Sequence, residues 1–72
     1  MYNNIYYEAL VEGRYQPRID VHQTDEGDYE AVYADINGNR ITFRAESQNE
    51  AFRRCSDAVV EAIREGRVHP FR

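Results

Sequence analysis

The stretch DYEAVYADINGNRITFRA, residues 28–45, decides the fold, because it reads as two extended segments around one tight turn. Asn37-Gly38 suits a two-residue type I′ hairpin loop, in which both central residues take positive φ. Such a loop places Ile36 opposite Asn39, Ala34 opposite Ile41, Val32 opposite Phe43 and Glu30 opposite Ala45. Side chains alternate along a strand, so this register gathers the apolar residues on one face, which goes inward. The opposite face pairs Asp35 with Arg40, Tyr33 with Thr42 and Ala31 with Arg44, with Tyr29 further along, and is expected in water.

Upstream, RIDVHQ (18–23) alternates Ile19 and Val21 with polar residues, the pattern of a half-buried strand, and TDEGD (24–28) is a turn. Downstream, Ser47 and Glu50 have the spacing of a capping box and start a helix over about 48–65. Ala51, Phe52, Cys55, Ala58, Val59, Ala62 and Ile63 recur at steps of three and four and form one apolar stripe, and Gly66 ends the helix. Residues 4–12, NIYYEALVE, read as a short helix from Ile5, Tyr6, Ala9 and Leu10, with a strand as the competing reading. The segment 67–72 is a tail, frayed or adding an edge strand that Pro70 keeps irregular. The expected architecture is one α+β domain over residues 1–72, in the order α-β-β-β-α. A three-stranded antiparallel sheet over about 17–45 carries both helices on one face as a two-layer sandwich.

A chain of 72 residues has material for one core. Its apolar residues fall in patterned segments, as in a globular domain. No apolar run reaches the roughly 20 residues of a membrane helix, and the N-terminus lacks the features of a signal peptide. One cysteine, Cys55, forms no internal disulfide, so a cytoplasmic location is expected. A net charge of −4 disfavours a general phosphate-binding surface. All nine cations are Arg, which suits bidentate contacts but also follows from a GC-rich genome, the blander and preferred cause.

No residue pattern points to catalysis, a metal or a cofactor. Cys55 lies on the apolar stripe, where a thiol is a small core hydrophobe, and with His22 or His69 it lacks zinc-ligand spacing. TDEGDYE lacks the order of an EF-hand calcium loop. Arg53 and Arg54 at the helix start have Asp57 and Glu50 within ion-pair spacing. The remaining set is the outer sheet face, where Tyr29, Tyr33, Thr42 and Arg44, with Arg18 and His22, would form a partner-binding surface of aromatics and Arg. So small a core also makes dimerisation through an edge strand or this face a natural supplement.

Two families are similar. The element order resembles the double-stranded RNA-binding domain, and ESQNEAFRRCSDAV (46–59) resembles its second helix at Ser47, Glu50 and Ala51. Gln48 and Asn49 stand where that family carries Lys. This resemblance implies a nucleic-acid-binding module in which Arg40, Arg44, Arg53 and Arg54 meet phosphates. Residues 15–66 also resemble the compact N-terminal domain of HicB-like antitoxins, through Asp25, Gly27 and Tyr29, then Asp35 and Gly38, then Glu50 and Ala51. That resemblance implies a dimeric, non-enzymatic protein that binds and neutralises another protein, and it carries the leading expectation: a small protein-binding module of a bacterium, phage or mobile element.

Overall fold

A computed structural model of the chain describes residues 8–9, 11–14 and 16–70. Strands β1 (Asp20–Gln23), β2 (Tyr29–Ala34) and β3 (Arg40–Ala45) form an antiparallel sheet in the order β1-β2-β3, followed by one long helix, α1 (Gln48–Arg64). The class is α+β. The helix expected over 4–12 lies largely outside the described residues. Of that segment, Glu8, Ala9 and Val11 are helical, and the Glu12 N–H donates to the Glu8 carbonyl at 3.0 Å.

The central hairpin corrects the sequence reading. Its partners are Ala34 with Arg40, Tyr33 with Ile41, Val32 with Thr42, Ala31 with Phe43, Glu30 with Arg44 and Tyr29 with Ala45. This is one residue away from the register of a two-residue loop. The Asp35 N–H donates to the Asn39 carbonyl at 3.0 Å and the Gly38 N–H to the Asp35 carbonyl at 3.1 Å, so the loop is the three residues 36–38. Only Gly38, at φ 86°, needs the left-handed region. This is the type I turn with a following left-handed residue that forms three-residue hairpin loops. The β1–β2 loop repeats it: Thr24 N–H to the Asp28 carbonyl at 2.8 Å, Gly27 N–H to the Thr24 carbonyl at 3.0 Å, Gly27 at φ 95°.

A slip of one residue turns a whole strand over. Strand β3 keeps its expected faces, with Ile41, Phe43 and Ala45 packed against the core. Strand β2 is reversed: Ala31 and Tyr33 are fully buried and Tyr29 packs inward, while Glu30, Val32 and Ala34 lie on the other face. Ile36, expected inward, is exposed at the loop. Both faces of β2 are similarly apolar, so pattern alone does not choose between them. The observed register keeps Glu30 out of the core, where an unpaired carboxylate is costly.

The helix lies on the Tyr33 face, where Ala51, Cys55, Val59, Ala62 and Ile63 join Ala31, Tyr33 and Val68 in the core. Phe52, expected in the stripe, is 43% exposed. The Glu50 N–H donates to Ser47 Oγ at 3.1 Å, while the Glu50 carboxylate pairs with Arg54 at 2.5 Å. Ser47→Ala should therefore cost about 1 kcal/mol in urea unfolding, the worth of an N-cap. At the other end the Gly66 N–H meets the Ile63 carbonyl at 3.1 Å and the Arg67 N–H the Ala62 carbonyl at 2.8 Å, with Gly66 at φ 76°. This is a Schellman cap.

The cap aims the chain back across the sheet, and the tail is neither frayed nor a strand through residue 70. Val68 and Pro70 are buried, and the His69 main chain is held at both polar atoms. Tyr33 Oη donates to its carbonyl at 2.5 Å, and its N–H donates to Asp35 Oδ2 at 2.7 Å.

Candidate partner-binding surface

The outer face of the sheet differs from its expected composition. Tyr33, at 0% exposure, is a core residue and Tyr29 is half-buried on the same inner face, so neither belongs to an outward surface. The observed outer face has Val32 and Ala34 at its centre, both half-buried, with Asp20, His22 and Glu30 on one side and Arg40, Thr42 and Arg44 on the other. The helix packs on the opposite face, so no described element covers this one.

Two charge arrangements frame it. His22 Nε2 lies 3.0 Å from Glu30 Oε1 across the β1–β2 ladder. Arg44 Nη2 reaches back to the acidic β1–β2 loop, donating to Glu26 Oε1 and Asp28 Oδ1, both at 2.7 Å, and to Thr24 Oγ1 at 3.3 Å. Thr24 Oγ1 also donates to Asp28 Oδ1. The hydrogen bond from Arg44, then that from Thr24, holds the Asp28 carboxyl below the usual range against the opposing effect of burial. Arg44, expected as part of the partner-binding surface, is thus already engaged. Glu26, Asp28 and Arg44 together present one net negative charge rather than an open guanidinium.

Arg18 is exposed just before β1, and Thr42 is exposed on β3. The cations of the nucleic-acid reading do not gather. Arg40 stands at the hairpin end of β3, whereas Arg53 and Arg54 follow its other end, a strand length of about 16 Å away. Arg54 is paired with Glu50, and Arg40 and Arg53 make no ion pair among the described residues. Asp28, Arg44, Ala45, Glu46, Glu50 and Arg54 line an open depression of about 480 Å³, in which three carboxylates oppose two guanidiniums. A phosphate meets more negative than positive charge there.

Asp35 is the residue that sequence reading undervalued. Buried at 7% exposure, its carboxylate accepts from the N–H groups of Asn37 (2.9 Å), Asn39 (2.8 Å) and His69 (2.7 Å), and from Asn39 Nδ2 (3.1 Å). Burial pushes its pKa up, but the bonds from the His69 N–H, the Asn39 side chain and the two loop N–H groups outweigh it, leaving the carboxyl below its ordinary value. The signal was Asp at the first position of D-I-N-G-N, where its side chain satisfies the loop N–H groups. Cys55 is buried in the core, its thiol donating to the Ile41 carbonyl at 3.7 Å, and burial pushes its pKa up.

Among the described residues no group of three His, Cys, Asp or Glu is arranged to hold a metal, and no helix is long and apolar enough to cross a membrane. No family model matches the chain, and neither does any curated protein or solved structure.

Proposed function

We propose that the chain is a small, non-enzymatic, cytoplasmic protein-binding module, antitoxin-like or inhibitor-like, of a bacterium, phage or mobile element, acting as a homodimer. In this reading the complete order is α-β-β-β-α, with both helices on one face of the sheet, and the other face meets the partner. The observation that supports it most is the outer face, which no described element covers. Val32 and Ala34 form a small apolar centre rimmed by His22, Arg40, Thr42 and Arg44, and an apolar centre within a polar rim is how protein interfaces are built. Arg18 extends that rim. The rim residues Glu26 and Asp28 are held by ion pairs with Arg44, and Glu30 by its 3.0 Å contact with His22, before any partner arrives, which lowers the ordering cost of binding.

Capture from the native host on the immobilised protein tests this reading. Val32→Asp places a charge at the centre of the bare face and should abolish capture of the protein partner, with the helical circular dichroism unchanged. Undiminished capture by that variant would sink the reading. Recovery of nucleic acid instead of protein, lost as salt rises, would support the phosphate-binding alternative through Arg40, Arg53 and Arg54.

A further inference from the structure

The homodimer in the reading above has a well-defined candidate site in the fold: the edge of β3 away from β2, which has no neighbour among the described residues. In an antiparallel ladder, residues alternate between those that turn their N–H and C=O toward the neighbour and those that turn them away. The bond from Asp35 N–H to the Asn39 carbonyl makes 35 and 39 a bonded pair. With the observed register, Ile41, Phe43 and Ala45 then also turn their main-chain groups toward β2. Arg40, Thr42 and Arg44 turn theirs away, and among the described residues β3 has no second neighbour.

We propose that two copies of this chain pair β3 against β3, antiparallel about a two-fold axis through Thr42, to form one continuous sheet of six strands. Centred there, the outward groups of Arg40, Thr42 and Arg44 meet those of Arg44, Thr42 and Arg40 in the second copy, so the free ladder groups of all three residues find partners. On the inner face the same register sets Ile41 against Phe43, two half-buried side chains that lie on the exposed flank of the core. On the outer face Thr42 meets Thr42, a favourable cross-strand pair.

Charge settles the choice of partner. The register puts Arg40 opposite Arg44, which would repel if both were bare. Arg44, however, carries Glu26 and Asp28 with it, each at 2.7 Å, and that cluster has a net charge of −1. Arg40 makes no ion pair with a described residue, so it supplies the missing positive charge, twice by symmetry. The self-paired edge closes the assembly, whereas β3 on the β1 edge of another copy would leave an open chain. It also covers the edge of a domain whose small core leaves little stability to spare.

Sedimentation velocity over a concentration series tests the inference. The wild-type chain should form a dimer and nothing larger. Thr42→Pro removes an N–H that points away from β2, so it should leave the fold intact by circular dichroism and yield a monomer. Arg40→Glu, at an exposed site, should raise the dimer dissociation constant about tenfold by setting two carboxylates against the negative clusters. Adding Glu26→Arg to Arg40→Glu should restore it. Val32→Asp should leave the dimer unchanged, which separates this site from the partner-binding face. A wild-type monomer at every concentration, an assembly larger than a dimer, or a dimer indifferent to Thr42→Pro and Arg40→Glu would each overturn it. The two Arg residues would then be guards of a bare edge.

Discussion

Tyr33→Ala should lower the free energy of unfolding by roughly 3–5 kcal/mol, the usual cost of deleting a buried aromatic side chain. A domain of this size has roughly 4–11 kcal/mol in total, so the variant should lose a large fraction of its stability. The effect follows from the one-residue shift of the central hairpin. In the register of a two-residue loop Tyr33 would stand in water and its loss would cost little. In the observed register it is fully buried between sheet and helix, and its hydroxyl donates to the His69 carbonyl at 2.5 Å. Tyr33→Phe keeps the ring and should lose only about 1 kcal/mol, the net worth of one hydrogen bond. Urea unfolding of the pair measures both the register and the tail contact. A neutral Tyr33→Ala would show that β2 presents its other face to the core.

The second large effect belongs to Asp35. Asp35→Ala leaves the His69 N–H and the loop N–H groups without their acceptor and should cost roughly 3 kcal/mol, since hydrogen bonds to a charged group are the stronger kind. The same carboxylate makes stability depend on pH. Its folded pKa lies below the ordinary value of 3.8, so the unfolded chain takes up a proton first as pH falls. The stabilisation is complete above the ordinary value and is lost as pH drops through the folded one. Asp28 is held down in the same direction by Arg44 and titrates in the same acid range. Asp35→Asn, which cannot ionise, should therefore flatten the loss of stability below pH 4 without abolishing it. Urea midpoints of wild type and variant at a series of acid pH values measure the difference, and identical slopes would remove Asp35 as a source of acid lability.

Local features of this chain were legible from short-range chemistry alone. Ser47 caps the helix, Gly66 ends it, and the stripe from Ala51 to Ile63 faces the core, with Phe52 the exception at its edge. Each depends on residues three or four apart along one helix, so no distant contact is needed. The three strands and their order were legible for the same reason, since alternation and turn residues lie next to each other in the chain. The candidate surface was legible only in part. Thr42, Arg44, His22 and Arg18 are exposed as expected, while Tyr29 and Tyr33 lie on the inner side.

The sequence by itself determined an α+β domain with an antiparallel three-stranded sheet, a capped amphipathic helix, and turns at Gly27 and Gly38. Only the tertiary structure decided which face of β2 is inside, because Ala31 and Tyr33 on one side and Val32 and Ala34 on the other are nearly balanced in hydrophobicity. The balance is tipped by contacts between residues far apart in the chain. The Tyr33 hydroxyl finds the His69 carbonyl, the Asp35 carboxylate finds the His69 N–H, and Arg44 finds the acidic loop before β2. A buried polar atom is tolerated only where its partner is present, and that partner is supplied by the folded chain rather than by its neighbours in sequence.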